Sequence, residues 1–343
     1  MSNVKGNDIK VAIKCLVYNH EPYLRECLEG CVMQQTDFPF VAIVHDDAST
    51  DHSADIIREY AAKYPDIIHP IYETENQYSK KGSLTKIMND AIEATGAPYI
   101  AFCEGDDYWT DPHKLQKQVD FLDTHPNVGL CYTDCDIYYE DENQWERAIY
   151  TTAGETFNAR NIKEKRTVWY MANNTWVYSK SLYDQIAPNP GYIDGALYLL
   201  YNMCLLADVE YVEGVTSVYR RHKGSASCFS NVDERRTYQY QKSCFFLEAR
   251  FTPKFPNSET NLKELYNYAL FCLYERALKY NDKEVIEKIE EHFSPLLDMR
   301  MYQSLISQKQ RYERTQYSKA YKLGRLFLQP IKWLKKINLG MKV

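Results

Sequence analysis

Four short apolar runs in the first third of the chain, each followed by helical spacing, constrain the fold more than any other feature. Residues 10–19 (KVAIKCLVYN), 40–44 (FVAIV), 67–72 and 100–103 are rich in β-formers and read as buried strands. After the first, Pro22 opens a helix continued by Leu24, Cys27, Leu28 and Cys31. After the second, Ser49 or Asp51 is placed to cap a helix through Ile56, Ile57 and Tyr60. A third helix over residues 85–95 stops at Gly96. Strands and helices alternating about every 25–30 residues predict an α/β fold with a mostly parallel, doubly wound sheet flanked by helices. Ligands of such sheets bind beyond the carboxyl ends of the strands. Asn19, Asp46 with Asp47, and the acids after residue 103 all fall at those ends.

The fourth run ends in Glu104-Gly105-Asp106-Asp107-Tyr108-Trp109, three carboxylates within four residues. Adjacent carboxylates repel one another and resist desolvation. A divalent cation removes both penalties, and hard oxygen donors suit Mg²⁺ or Mn²⁺. An isolated acidic triplet reads better as a solvated loop; three polar clusters on one sheet edge favour the cation. No Gly-x-Gly-x-x-Gly or Walker-type loop follows the first strand, which disfavours dinucleotide and P-loop sites. Phosphates would then be met through a metal.

Composition adds exclusions. Of 343 residues, 45% are apolar and 26% charged, as in ordinary globular proteins. No run of about 18 apolar residues suggests a membrane span, and the polar first ten residues do not read as a secretory signal. The ten cysteines form no Cys-x-x-Cys pair and read as small buried hydrophobes in a reducing cytoplasm. The 30 tyrosines are a weak pointer to sugar-like ligands. Residues 315–343 hold seven Lys or Arg and no acid, leaving 34 basic against 47 acidic residues in the body. An acidic body with a basic tail argues against a nucleic-acid partner.

Further along, a helix is expected over 115–122 and a strand over 128–133. A polar excursion over 141–165 follows, then a short strand at 175–178 and a helix at 181–186. Asp194, after a Pro-Asn-Pro-Gly turn, starts an amphipathic helix through Leu205. Residues 209–219 read as a strand pair ending in Arg220-Arg221-His222-Lys223. From about residue 232 the pattern is helical. The expected organisation is an α/β domain at 1–230, a helical region at 231–314 and a basic amphipathic tail at 315–343. Within the tail, residues 319–342 suit a membrane interface, the alternative being a basic helix packed on the acidic body.

Taken in order, Val17-Tyr18-Asn19, Asp46-Asp47-Ala48-Ser49-Thr50-Asp51, Glu104-Gly105-Asp106-Asp107-Tyr108-Trp109, Asp194 and Tyr219-Arg220-Arg221-His222 resemble family 2 glycosyltransferases of the GT-A fold. The resemblance covers residues 10–227 and implies an inverting transferase of the bacterial surface-polysaccharide type. It gives Leu16, Val17 and Asn19 backbone contacts to the nucleotide. Asp47 would accept a hydrogen bond from the base, or act only as a turn acid. Asp106 would be the direct Mn²⁺ or Mg²⁺ ligand, with Glu104 in the same motif. Asp107 would support the metal or meet the donor sugar. Glu104 departs from the family's Asp, and Met88 stands where Arg often precedes the position of Asn89; Lys86 is the candidate replacement for that charge.

Asp194 matches the base position, where a carboxylate deprotonates the acceptor hydroxyl, or is a plain helix cap. Arg221 and His222 would close over the diphosphate or form a solvated basic loop; for Arg220 the solvated loop is the reading. The implied donor is a nucleoside-diphosphate sugar, UDP favoured, with a hexosyl or N-acetylhexosaminyl group. The implied acceptor is a glycan or lipid-linked hydroxyl at the inner face of the cytoplasmic membrane. The helical region is the place for a homo-oligomer contact. A non-catalytic carbohydrate- or partner-binding protein on the same scaffold is the second reading. A nucleotidyltransferase is a third, without the Gly-rich signature that class carries.

Overall fold

The computed structural model describes residues 9–80, 82–148, 156–158, 171–188 and 195–225, with scattered positions between 274 and 314. Chain contacts divide the molecule into two units, Met1–Arg236 and Thr237–Val343. Asp194, the tail at 319–342 and most of the helical region lie outside the described residues, as do Cys228, Cys244 and Cys272.

In the first unit, strands and helices alternate as β1 (Val11–Val17), α1 (Leu24–Val32), β2 (Phe40–Asp46), α2 (Ser53–Lys63), β3 (Ile68–Tyr72), α3 (Ser83–Glu93) and β4 (Tyr99–Phe102). There follow β5 (Tyr108–Trp109), α4 (Lys114–Thr124), β6 (Val128–Tyr139), β7 (Gln144–Glu146), β8 (Thr156–Phe157), β9 (Trp176–Ser179), α5 (Lys180–Tyr183), α6 (Gly195–Leu206) and β10 (Asp208–Arg221). The sheet order is β3-β2-β1-β4-β9-β6-β10-β5, with β7 on β6 and β8 on β10. Strands β3, β2, β1 and β4 are mutually parallel. β9 runs antiparallel between β4 and β6, and β6 and β10 run parallel to each other. Two reversals restore direction, so β1, β2, β4, β6 and β10 all end on the same edge.

One face of the sheet is buried by Leu24, Cys27, Leu28 and Cys31 of α1, Ile56, Ile57 and Tyr60 of α2, and Leu115, Val119 and Leu122 of α4. Each such leucine or isoleucine contributes roughly 1.5–3 kcal/mol on burial. Met88 and Ile92 of α3 are buried outside that cluster. The seven described cysteines are free and buried, as their apolar settings predicted. Gly30 lets α1 seat itself against β5: a Cβ there would meet the Trp109 backbone nitrogen at 2.8 Å. Behind that strand the amine of Lys114 is fully buried, donating to Gln118 Oε1 and to the Thr175 carbonyl and lying over the Trp109 ring.

Two local expectations need correction, and between the two cap candidates for α2 the structure decides. Residues 209–219 are not a strand pair: β10 is one strand that shifts register on β6 between Tyr211 and Ser217. Gly214, at φ 126°, absorbs a bulge there rather than a reversal. Ser49 does not cap α2, since its hydroxyl reaches across to Asn19 N–H. Asp51 instead accepts the Ser53 N–H at 2.9 Å. Helix α5 is a single turn, shorter than the expected 181–186.

Candidate functional site at the carboxyl edge of the sheet

The ends of β1 and β2 are laced together. Asn19, left-handed at φ 55°, receives Ser49 Oγ on its N–H at 2.9 Å. Its Oδ1 accepts the Thr50 N–H at 2.8 Å. His20 N–H donates to Ser53 Oγ and Glu21 N–H to Asp51 Oδ2, each at 3.0 Å, while Glu21 takes the His52 N–H. The Leu16 and Val17 carbonyls accept the N–H groups of Gly105 and Asp47, both at 2.9 Å. Asp47 is 4% exposed, and its two oxygens accept the Gln77 and Tyr78 N–H groups at 2.6 and 3.0 Å. Its neighbour Asp46 is the less satisfied acid: Oδ1 is buried without a partner. Sequence reasoning gave the base-binding role to Asp47 alone.

The acidic turn after β4 stands on a glycine. A Cβ on Gly105 would lie 2.7 Å from His20 Nδ1, 3.0 Å from Val17 Cγ2 and 3.2 Å from the Leu16 carbonyl oxygen. Only a residue without a side chain lets the turn lie this close to β1. Asp106 Oδ2 then meets His222 Nε2 at 3.1 Å, just beyond β10. The other ring nitrogen, Nδ1, faces the Lys223 carbonyl at 3.0 Å. Both neighbours only accept hydrogen bonds, so a neutral ring satisfies one of them. The second demands either a second ring proton or a cation between imidazole and carboxylate. A ring nitrogen on a backbone carbonyl is also the usual support of a metal-bound histidine. Burial opposes the imidazolium, but Asp106 and the Lys223 carbonyl hold His222 above its ordinary pKa. Burial likewise resists the Asp106 carboxylate, and His222 with His20 pulls it below its usual range.

Asp107 is 1% exposed. Oδ1 accepts the Arg220 N–H at 2.8 Å and Oδ2 is buried without a partner. Burial, then the charges of Asp106 and Glu104, push its carboxyl well above the ordinary range. This geometry supports the turn and leaves no open face for a donor sugar. Glu104 is half-buried; its carbonyl accepts the Asp107 N–H at 3.0 Å and the Cys27 thiol. His20, which sequence reasoning missed, lies beside Asp106 with Nδ1 buried and unpartnered. Burial lowers its pKa against the pull of that carboxylate.

Arg220 overturns its reading as a solvated loop residue. It is 4% exposed. Its Nε donates to the Asp106 carbonyl at 3.0 Å, and its two terminal nitrogens hold Glu140 and Glu26. Arg221 ends β10 half-buried, its guanidinium over the Tyr139 ring. Lys86 is exposed on α3 and pairs with Asp90 one turn on, at 2.5 Å, the ordinary (i, i+4) pairing of a helix surface.

Among the described residues no three His, Cys, Asp or Glu side chains converge in metal-binding geometry. Asp106 and His222 supply two donors. A Mn²⁺ or Mg²⁺ ion held by one or two protein groups and completed by substrate phosphates needs no more. The donor set therefore fits such an ion. Among the described residues no helix is long and apolar enough to cross a membrane.

Residues 15–187 match the family model for glycosyl transferase family 2, and the chain belongs to that family. An uncharacterized protein of Mycobacterium tuberculosis is 34% identical over 237 residues, 67% of this chain. The chain spans 64% of that relative's length. The crystal structure of S. aureus TarS 1-349 in complex with UDP-GlcNAc shares the fold at a TM-score of 0.61 and 16% identity, covering 92% of each chain. A mannosyltransferase from Pyrobaculum calidifontis, in complex with GDP-Man and Mn²⁺, aligns at 0.50 and 16% identity over 95% of this chain and 90% of its own. The mixed α/β sheet is thus a GT-A fold.

Proposed function

We propose that the protein is a metal-dependent, inverting glycosyltransferase that moves a sugar from a nucleoside-diphosphate donor to a hydroxyl of a glycan or lipid-linked acceptor. The observation that carries this reading is His222, held between the Lys223 carbonyl and the Asp106 carboxylate at the shared carboxyl edge. An edge of this kind is where open α/β sheets bind ligands. Asp106 and His222 would hold Mn²⁺ or Mg²⁺, with Glu104 beside them. The ion, when bound, supplies positive charge for the departing diphosphate.

The chain's own residues supply the rest. Asp107 keeps the turn's shape through β10. Asp46 and Asp47, with the 77–78 backbone that Asp47 organises, form the base end of the site, and Leu16, Val17 and Asn19 its floor. Arg221 lies at the diphosphate end. Asp194 is assigned as the base that takes the acceptor's proton, which with in-line attack gives inversion. UDP is favoured as the nucleotide: TarS 1-349 is described with UDP-GlcNAc. Because the mannosyltransferase relative carries GDP-Man and Mn²⁺, the donor test includes GDP sugars. The basic tail at 319–342 is assigned to peripheral contact with the membrane where lipid-linked acceptors lie.

The test is release of nucleoside diphosphate from a panel of nucleotide sugars, with Mn²⁺ or with EDTA, by wild type, Asp106→Ala and Asp194→Asn. Turnover that needs Mn²⁺ and falls in both variants is the expected result. Nucleotide binding without any turnover would favour the non-catalytic reading, and turnover intact in Asp106→Ala would overturn the metal role.

A further inference from the structure

Arg220 touches more of the site than any reacting group requires. Its Nε donates to the Asp106 carbonyl at 3.0 Å, and its backbone N–H donates to Asp107 Oδ1 at 2.8 Å. One terminal nitrogen reaches Glu26 on α1 and the other Glu140 just past β6. The guanidinium centre lies 5.0, 5.1 and 5.6 Å from the ring centres of Tyr23, Tyr108 and Tyr138. Tyr23 in turn packs on the His222 ring, centroids 4.3 Å apart and planes 39° off parallel. A single buried side chain thus reaches Asp106 through its carbonyl and His222 through one tyrosine ring. Three elements remote in sequence converge on it.

We infer that Arg220 is the positioning residue of the metal site: it sets the relation between the Asp106 carboxylate and the His222 imidazole, and so the affinity for the divalent ion. The inference rests on the reading of that pair as metal ligands. A planar fork with donors on three nitrogens performs this task; an ammonium at the end of a flexible stem does not. Arg220→Lys keeps the charge and the backbone bond to Asp107, and removes the fork alone. Support of this kind around a metal ligand governs affinity by roughly 10–100-fold.

The experiment titrates MnCl₂ into full-length protein with UDP present, reading free Mn²⁺ by its electron spin resonance signal. UDP binding in EDTA and thermal melting are measured in parallel. For Arg220→Lys the Mn²⁺ dissociation constant is expected to rise about tenfold, at the low end of that range. UDP binding in EDTA stays as in wild type, and excess Mn²⁺ restores turnover. A merely structural role would lower metal-free UDP binding equally and give no rescue. Should Arg220→Lys fail to fold, Glu140→Gln, at the solvent side of the cluster, makes the same test with an expected rise of about threefold. Wild-type Mn²⁺ affinity in the variant that folds overturns the inference alone. Failure of wild type to bind Mn²⁺ with UDP overturns the site reading and the inference with it.

Discussion

Two polar clusters share the carboxyl edge of the sheet, and their hydrogen bonding differs in kind. In the brace joining the ends of β1 and β2 each of these donors finds an acceptor: Asn19 with Ser49 and Thr50, the His20 N–H with Ser53, Glu21 with Asp51 and His52, while the His20 ring Nδ1 and Asp46 Oδ1 beside them stay unpartnered. In the acidic turn acceptors predominate. Asp107 keeps one buried oxygen unpartnered, and His222 faces an acceptor at each ring nitrogen. Backbone donors paired with side-chain acceptors fix loop shape. A cluster short of positive charge stays stable only because the rest of the fold holds it, and it gains most from a bound cation. The same few residues of sequence distance from a strand end therefore produce a laced loop pair on one side and the proposed metal pair on the other.

The largest effect that would break this contrast is on the turn. Asp106→Ala should lower Mn²⁺-dependent release of nucleoside diphosphate by on the order of 10²–10³-fold. A loss below about tenfold would remove the distinction between the two clusters. His222→Gln keeps a polar side chain but not the imidazole, and should weaken Mn²⁺ binding by about 10–100-fold in a direct titration.

Behind β5 the buried group is basic instead, the amine of Lys114. Burial depresses its pKa to about 7 from the ordinary 10.5. Between those values the unfolded chain retains a proton that the folded chain has lost, so raising the pH favours folding. Denaturant melts should show wild type gaining up to about 2 kcal/mol on Lys114→Met between pH 7 and 9. Parallel pH curves for the two proteins would mean that the amine keeps its proton throughout. The smallest effect belongs to the brace. Asn19→Ala must hold a left-handed backbone without its Thr50 acceptor and should lose about 1–2 kcal/mol in thermal melts. An unchanged melt would show that the brace does not hold the two loops.

What could be read in advance follows the range of the interactions. Buried strands announce themselves by composition, and the clusters at their ends include Asp106 and His222; that the two side chains meet was not legible, and His222 was expected over the diphosphate or in a solvated loop. Strand direction is not encoded in periodicity, and nothing in residues 175–178 says that β9 enters antiparallel between β4 and β6. Gly214 marks a break in a strand but does not say whether the break is a turn or a bulge. For Lys86 the one partner the structure shows is local, Asp90 four residues on. Arg220 was misread because its partners are remote in sequence. Glu26 lies 194 residues away and Glu140 80, and a run of Arg-Arg-His-Lys looks solvated until those partners arrive.

Gly105 carries a consequence for how this chain can change. With His20, Val17 and the Leu16 carbonyl all within 3.2 Å of where a Cβ would stand, the height of the acidic turn is copied from β1 and is not set by the turn's own residues. The residues on either side, Glu104 and Asp106, can be exchanged as chemistry requires while the platform beneath them stays level. Drift in β1, by contrast, would move every carboxylate at once. The strand with no acid of its own is the one that gauges the acids' position.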